Sequence, residues 1–264
     1  MPPKPLSVPE PRETTLSVVK RLPHAILDCE SRTKKGRKIV VSLQTKMDLA
    51  GRHVLEVGTG SGIIAHCISE AVGGGGKVIA VDVADQRQVT DGYEFQLVEG
   101  GGLPFPDATF DVVVSNHVFE HVGDLEQQAD HLREVRRVLR EDGFVYFAVP
   151  NRWTVVEPHY RLAFLSWMPS QVRSPYLRLF RRGVFYDCNP PSHRRLIGMF
   201  KKARLRHEQF TFKAMRIMAA VEEPPPWTRR LLVAPVFLQA LLYPVIPTMV
   251  FILTALPMGR DSVE

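Results

Sequence analysis

The sequence is poor in cysteine, and its cysteines are not arranged for a metal site or a disulfide framework. Cys29, Cys67 and Cys188 lie far apart in the 264 residues, with no CxxC spacing between them. Even-numbered, closely spaced cysteines are typical of secreted disulfide scaffolds and of zinc sites. We therefore predict a globular protein of the reducing cytoplasm, with 45% apolar residues available for a core.

The N-terminus lacks the apolar core of a secretion signal. Residues 1–15 contain five prolines and no apolar run of signal-peptide length, so we interpret them as a disordered tail. Residues 16–50 are basic and mostly helical in pattern. We expect them to form one or two N-terminal cap helices.

A phosphate-binding lysine is missing from the glycine-rich stretch "VLEVGTGSG", residues 54–62. A P-loop requires a lysine directly after its last glycine, and none follows Gly62. The spacing of Gly58, Gly60 and Gly62 is GxGxG, which also differs from the GxGxxG of dinucleotide-binding loops. The Glu56 carboxylate would repel a pyrophosphate but suits a ligand with a cationic end, such as S-adenosylmethionine.

Acidic residues are scarce in one segment. Residues 151–230 contain 16 Lys plus Arg but only 5 Asp plus Glu, whereas the whole chain has a net charge of +6. Such local asymmetry indicates an anionic partner, namely a phosphorylated substrate, lipid headgroups or nucleic acid, or else simply a solvated arginine-rich surface. We expect an anionic membrane surface, with peripheral attachment at the inner membrane face.

A long uninterrupted apolar run is absent too. The segment "LLVAPVFLQALLYPVIPTMVFILTAL", residues 231–256, is divided by Pro235, Pro244 and Pro247. A membrane-spanning helix needs about 20 consecutive apolar residues, and prolines end helices. We predict a helix followed by a buried strand, "TMVFILTA", and regard a membrane span as the less favoured alternative.

What the sequence does contain is a regular alternation of strand-like and helix-like segments over residues 51–150. Five apolar, β-branched runs are predicted as strands: "HVLEVG", "KVIAVDV", "EFQLV", "FDVVVS" and "GFVYFAV". Two segments between them have helical periodicity: "GIIAHCISEAV" and "DLEQQADHLREVRRVLRED". This alternation is typical of a parallel sheet flanked by helices.

The alternation ends after residue 150. Residues 151–190 are rich in arginine, proline and aromatic residues and are predicted to form an inserted lid over the substrate. Residues 191–258 are predicted to complete the sheet, with "PSHRRLIGMFKKA" as a helix and "LRHEQFTF" as a strand.

Two carboxylates follow strands at the edge where ligands bind in open α/β sheets. Asp82 lies twenty residues after Gly62 at the end of the second strand and suits the two hydroxyls of a ribose. Glu99 closes the third strand, where a carboxylate can accept a hydrogen bond from the adenine amino group.

Taken together, four segments resemble the class I S-adenosylmethionine-dependent methyltransferases, in particular the small-molecule type 11 group. They are "VLEVGTGSG", "VIAVDV", "LPFPDATFDVVVSNHVFEH" and "LREVRRVLREDGFVYFAVPN". The resemblance covers residues 51–151. It implies an α/β fold with a doubly wound, Rossmann-like seven-stranded sheet of order 3214576 whose last strand is antiparallel, and S-adenosyl-L-methionine as the cofactor.

The resemblance also implies which residues bind the cofactor. It places the methionine end on the glycine loop, the ribose on the second strand, and the adenine on the residues that follow the second and third strands. The positions concerned are Glu56, Gly58, Thr59, Gly60, Gly62, Asp82, Val83, Glu99, Gly100 and Asn116. One departure is that the family usually has Asp-Ala where this chain has "VEGGG", residues 98–102.

Methyl transfer needs alignment of acceptor and methyl group, plus a base when the acceptor is a hydroxyl. His117, after the fourth strand, and His159, in the predicted lid, are the candidate catalytic residues. The stretch "HVFEH" also resembles an ExxEH motif that binds magnesium in some related methyltransferases. Here the first carboxylate is His117 and no later HxxxH follows, so we predict no metal, with Glu120 and His121 in a structural role.

The predicted function is methylation of a small or lipid-linked acceptor, such as a quinone precursor, a glycolipid or a polyprenyl-linked sugar. The alternatives are an RNA methyltransferase and a non-catalytic cofactor-binding protein of the same fold. Nucleic acid is not favoured as a partner, since the chain has no recognisable RNA-binding module and no NPPY-type motif.

Overall fold

The computed structural model describes residues 29–222, 224 and 226–257. The predicted tail at residues 1–15 and the beginning of the predicted cap region lie outside these ranges. Seven strands form one sheet in the order β3-β2-β1-β4-β5-β7-β6. Their bounds are β1 His53–Val57, β2 Lys77–Asp82, β3 Glu94–Leu97, β4 Phe110–Asn116, β5 Leu139–Pro150, β6 Leu205–Gln209 and β7 Thr248–Ala255.

The pairing of the strands confirms the predicted topology. β1 to β5 pair in parallel, and β7 runs antiparallel to both β5 and β6. The strand order reverses between β1 and β4. In open α/β sheets, ligands bind at the carboxyl ends of the strands at this reversal.

Eight α-helices accompany the sheet in the described part of the chain. They are α1 Cys29–Gln44, α2 Ile63–Val72, α3 Leu125–Val138, α4 Ser170–Leu179, α5 His193–Lys202, α6 Thr211–Val221, α7 Pro226–Val233 and α8 Val236–Leu242. α1 corresponds to the predicted cap, and α4 lies in the predicted lid.

The core has two layers because neighbouring residues of a strand point to opposite faces of the sheet. Leu55 packs in one layer with Phe147 and Phe200, on the side of α3 and α5. Val54 packs in the other layer with Ile68 and Phe210, on the side of α1, α2 and α6. Both faces are therefore covered, which explains the nearly continuous apolar runs of the parallel strands.

Two predicted boundaries were wrong. The third helix ends at Val138 rather than Asp142, because the extended Leu139 is buried and pairs with Phe110 of β4. The strand predicted for "LRHEQFTF" ends at Gln209, and its last residue, Phe212, belongs to helix α6. The Thr211 hydroxyl accepts a hydrogen bond from the Val250 N–H at 3.0 Å, a donor that a longer β6 would have paired through its backbone.

The proline-divided segment forms two short helices and a strand instead of one helix and a strand. Pro235 precedes the first residue of α8, and Pro247 directly precedes β7. β7 is central, with Phe251 and Leu253 fully buried between β5 and β6. Within the described ranges, no helix has the length and hydropathy needed to cross a bilayer.

Candidate active site

The glycine loop between β1 and α2 has a backbone that only glycine adopts without strain. Gly58 has a φ of 79° and Gly62 a φ of 80°. A Cβ on Gly62 would lie 2.1 Å from the Val89 carbonyl oxygen, and one on Gly58 would lie 2.2 Å from Val118 Cγ2. The loop is therefore held tightly against its neighbours, which lets its backbone approach a ligand closely.

Asp82 at the end of β2 fixes the loop and faces the same space. Its Oδ2 accepts a hydrogen bond from the Gly60 N–H at 2.9 Å, and its Oδ1 accepts one from the Val83 N–H at 2.7 Å. A carboxylate oxygen has more than one acceptor site, so both remain able to accept from a ribose. This geometry fits the predicted role of Asp82.

A large cavity of about 1420 Å³ runs along the carboxyl ends of the strands. Six of the ten predicted cofactor residues line it: Gly58, Gly60, Asp82, Val83, Gly100 and Asn116. Both predicted catalytic histidines, His117 and His159, line it as well. The structure thus brings the larger part of the predicted site together in one space.

Four predicted cofactor residues are not in the cavity wall. Glu56 is buried, and burial raises its pKa well above the usual value. The charge of Arg32 and a hydrogen bond from the Ala65 backbone oppose this rise only in part. The Thr59 hydroxyl donates to the Val81 carbonyl at 3.2 Å, so it shapes the loop. Gly62 lies behind the loop, and Glu99 is exposed next to the lining residue Gly100. Their contact with a cofactor stays a prediction.

Helix α1 contributes three cations that the sequence reasoning did not assign to the site. Arg32, Lys35 and Lys38 line the cavity and lie on one face of the helix at i, i+3 and i+6. Burial, together with Arg32 and Lys38, lowers the pKa of Lys35 to about 8. The basic stretch "RTKKGRK" was visible in the sequence, but nothing local indicated that it turns inward.

Arg32 lines the cavity, and the buried Glu56 lies close to it without being part of the cavity wall. They interact electrostatically, and burial lowers the pKa of Arg32. The Arg32 Nε and the Glu56 Oε2 are nevertheless buried without a hydrogen-bond partner among the described residues. Buried polar atoms of this kind usually have a partner, so this end of the cavity suits a ligand that carries both charges.

The two predicted catalytic histidines belong to a cluster around Glu120. Glu120 lies in the short 3₁₀ turn Phe119–His121 and is completely buried. Its Oε1 is 3.5 Å from His117 Nδ1, 3.6 Å from His159 Nε2 and 3.9 Å from His121 Nε2. His117 has a φ of 57°, which is uncommon for a residue other than glycine and is typical of strained functional positions.

The histidines of the cluster differ in their electrostatic environment. Burial and the neighbouring Lys35 hold the pKa of His117 well below its usual value, so its ring is neutral. Burial disfavours the charged form of His159 most strongly, but the hydrogen bond to Glu157 and the negative charges of Glu157 and Glu120 together outweigh it, so the pKa of His159 is raised. His159 Nδ1 is 2.8 Å from Glu157 Oε1. The lid therefore contributes an oriented ring to the site.

Comparison with known proteins identifies a methyltransferase domain in the middle of the chain. Residues 55–147 match the family model described as "Methyltransferase domain". A "Probable S-adenosylmethionine-dependent methyltransferase" of Mycobacterium tuberculosis is 41% identical over 108 residues, which cover 39% of this chain and 37% of that protein. A ubiquinone/menaquinone biosynthesis C-methyltransferase of Hahella chejuensis is 36% identical over 105 residues, which cover 36% of this chain and 41% of that protein. The matches therefore span less than half the length of these relatives.

The fold is shared with solved methyltransferase structures. The complex of a Haloferax volcanii methyltransferase with its activator Trm112 aligns with a TM-score of 0.54 at 18% identity, over 88% of this chain and 92% of that chain. Together with the sheet order and the glycine loop, these findings show a methyltransferase domain at residues 55–147 and the fold of the class I S-adenosylmethionine-dependent methyltransferases. S-adenosyl-L-methionine is the cofactor of that class.

Proposed function

We propose that the protein transfers the methyl group of S-adenosyl-L-methionine to a small or lipid-linked acceptor at an anionic membrane surface. The observation that carries this proposal is the single cavity that begins at the glycine loop, passes His117 and His159, and ends in an apolar wall. Such a cavity has room for the cofactor and a second molecule side by side. Alignment of the two is the main requirement for methyl transfer.

On the cofactor side, Asp82 would hold the ribose and Gly58 to Gly62 the methionine end. Arg32 suits the methionine carboxylate, because its Nε is buried and lacks a hydrogen-bond partner among the described residues. The bound cofactor supplies an electrophilic methyl group. Asn116 and His117, at the end of β4, would lie where the methyl group meets the acceptor.

On the acceptor side, the cavity wall is apolar with a few cations. Its apolar lining includes Met215, Met218, Trp227, Ile246 and Val250. Lys35 and Arg161 also line it, so an acceptor with an apolar chain and an anionic or strongly polar head fits both kinds of wall. A quinone precursor, a glycolipid and a polyprenyl-linked sugar all have this character, and the Hahella relative acts in quinone biosynthesis by its name.

Binding to a membrane surface is supported by exposed apolar residues next to the Trp227 end of the cavity. On α7 and α8, Val233 is 85% exposed and Phe237 74% exposed. Arg229 and Arg230 on the same helices are exposed as well. Apolar side chains beside arginines are typical of helices that lie in the headgroup region of a bilayer.

The activity test measures transfer of radiolabelled methyl groups from S-adenosylmethionine to four acceptors: a prenylated quinol, a polyprenyl-phosphate sugar, a glycolipid and total RNA. We expect labelled product from a lipid-linked acceptor. Label in RNA instead would favour the alternative of an RNA methyltransferase. Tight cofactor binding without transfer to any of the four acceptors would favour a non-catalytic protein.

The membrane test measures sedimentation with vesicles of phosphatidylglycerol and, separately, of phosphatidylcholine. We expect binding to the anionic vesicles that salt weakens, since each cation near the surface contributes about 1 kcal/mol. The double variant Phe237→Ser with Leu241→Ser tests the apolar residues, and Arg181→Ser with Arg182→Ser tests exposed arginines after α4. Lys77→Ser with Arg133→Ser, exposed residues of β2 and α3, serves as the control. Equal binding to both vesicle types by all variants would contradict the proposal.

A further inference from the structure

The cluster around Glu120 brings together side chains that are distant in the sequence. His117 follows β4, Glu120 lies in the next turn, and His159 comes from the lid about forty residues later. One donor atom from each of these three residues lies within 4.8 Å of the other two. The cluster therefore forms only when the lid packs on the sheet.

The Glu120 carboxylate is close to the histidines of this cluster but makes no hydrogen bond with them. Its side chain is fully buried, and neither carboxylate oxygen has a hydrogen bond within the described part of the chain. A buried carboxylate without hydrogen bonds is costly unless a cation or a proton accompanies it.

The spacing of the donor atoms suits a metal ion. Zinc binds imidazole nitrogen and carboxylate oxygen at about 2.0–2.2 Å, so the donors of a tetrahedral site lie about 3.3 Å apart. The distances from Glu120 Oε1 to His117 Nδ1 and His159 Nε2 are 3.5 and 3.6 Å. A contraction of a few tenths of an ångström brings both pairs to that spacing, and the donor atoms of His117 and His159 lie within 4.8 Å of each other.

A second carboxylate, Glu157, orients the His159 ring so that it can bind a metal ion together with Glu120. Glu157 Oε1 is 2.8 Å from His159 Nδ1, which turns Nε2 toward Glu120. Glu157 itself is held by the Tyr160 N–H, which donates to its Oε2 at 2.7 Å. A carboxylate on the far nitrogen of a ligating histidine is a regular feature of metal sites, where it fixes the ring and makes it more basic.

We propose that His117, Glu120 and His159 bind a divalent transition-metal ion of the Zn²⁺ type, with a further position open to the cavity. Two imidazoles and one carboxylate are a common set for catalytic zinc, whereas magnesium prefers oxygen ligands. The preference of magnesium for oxygen ligands, which counted against a metal at "HVFEH", does not hold for zinc. The third ligand, His159, lies outside that stretch. Binding of the ion is independent of the proposed function.

A second donor set shares His159 and must be distinguished. His121, His159 and Cys188 also have donor atoms within 4.8 Å of one another. The Cys188 thiol already contacts Asp187 Oδ1 at 3.7 Å and His121 Nδ1 at 4.0 Å, and burial strongly raises its pKa. We assign the site to the Glu120 set because its carboxylate is the group without hydrogen bonds.

The experiment titrates the chelator-treated full-length protein with Zn²⁺, Co²⁺ and Mg²⁺, without cofactor or acceptor. Calorimetry should give one Zn²⁺ per chain, and Co²⁺ should produce visible absorption of a four- or five-coordinate site. Mg²⁺ should not compete at millimolar concentration. Absence of stoichiometric Zn²⁺ binding, or binding that Mg²⁺ displaces, would overturn the proposal.

Variants then locate the ion. Glu120→Gln and His159→Gln should each weaken Zn²⁺ binding by a factor of about 100 or more. His66→Gln, on the surface of α2, should leave Zn²⁺ affinity unchanged and serves as the matched control. Thermal unfolding shows whether each variant is folded, and Zn²⁺ should raise the melting temperature of the wild type but not that of Glu120→Gln.

Cys188→Ser separates the two donor sets. If the ion lies on the Glu120 set, this variant keeps its Zn²⁺ affinity and the Co²⁺ form of the wild type has no thiolate charge-transfer band. Loss of Zn²⁺ binding in Cys188→Ser, or such a band in the wild type, would overturn the assignment to Glu120. Unchanged affinity in both Glu120→Gln and His159→Gln would overturn it as well.

Discussion

The cofactor half and the acceptor half of the cavity are built in different ways. The cofactor half consists of backbone and one carboxylate: the loop from Gly58 to Gly62 is tied to Asp82 by a hydrogen bond from Gly60. The acceptor half consists of partly buried titratable side chains, with Lys35 from α1, His117 directly after β4 and His159 from the predicted lid. The loop and Asp82 of the first half lie within about 25 consecutive residues, with Arg32 added from α1, whereas the second half comes from segments spread over most of the chain.

This difference shows which half of the cavity is built by residues close together in the sequence. The glycine loop is held by hydrogen bonds to the neighbouring end of β2: the Gly58 and Thr59 N–H groups donate to the Val81 carbonyl, and the Gly60 N–H donates to Asp82. The acceptor half leaves polar atoms such as the two oxygens of Glu120 without hydrogen bonds among the described residues. We expect substitutions in the first half to act on stability and cofactor affinity, and those in the second to act on the ligands that complete it.

The largest effect should come from Gly62→Ala, at the N-terminal end of α2. The new Cβ would lie 2.1 Å from the Val89 carbonyl oxygen, and the alanine would have to keep a φ of 80°. We expect a loss of about 3 kcal/mol in the free energy of unfolding from overpacking and backbone strain together.

Gly73→Ala at the other end of α2 is the matched control for Gly62→Ala. Gly73 has a φ of 67° and a ψ of −177°, a region that almost only glycine adopts, but no atom lies within 4 Å of the added Cβ, so backbone strain alone, of about 1–3 kcal/mol, should appear. Chemical denaturation measures both variants. Equal losses would mean that the tight packing of the glycine loop does not matter.

Asp82→Ala should weaken binding of S-adenosylmethionine by on the order of 2 kcal/mol or more, because the variant loses a charged acceptor for the ribose. Asp85→Ala is the control, since Asp85 is exposed in the following loop and pairs with Arg87 at 2.7 Å. Titration calorimetry compares the two. Wild-type affinity in Asp82→Ala would refute the role of Asp82, and binding of NAD in place of S-adenosylmethionine would refute the cofactor assignment.

Arg32→Met should reduce affinity for S-adenosylmethionine by about 1.5 kcal/mol, the lower end for a hydrogen bond to a charged group. Methylthioadenosine, which lacks the amino-acid end, should bind the variant and the wild type equally. Arg37→Met, on the exposed face of α1, controls for the change of charge. A similar loss for both ligands would show that Arg32 acts on the shape of the cavity instead.

The smallest effect is expected for Asp124→Ala at the start of α3. The Asp124 side chain accepts hydrogen bonds from the Glu126 and Gln127 N–H groups, and the Asp124 backbone N–H donates one to Gln127 Oε1. Removal of this cap should lower the free energy of unfolding by about 1 kcal/mol. Cofactor affinity should not change, because Asp124 does not line the cavity. A weaker cofactor affinity would show that the two halves are coupled through this helix.

Much of the cofactor half could be predicted because its signals are local. The glycine spacing, the carboxylate after β2 and the alternation of strands and helices depend on residues close in sequence. Element boundaries were less predictable. The helix in "DLEQQADHLREVRRVLRED" continues by periodicity to Asp142, yet the pairing of Leu139 with Phe110 ends it at Val138.

By itself, the sequence determined the sheet order through its family resemblance, the glycine loop, the position of Asp82 and the division of the C-terminal apolar segment by prolines. Only the tertiary structure decided that Arg32 and Lys35 face the cavity and that His159 meets Glu120. The physical reason is that periodicity fixes the face of a helix but not what covers it. Contacts between segments far apart in the chain depend on how the layers pack, and no local pattern records that packing.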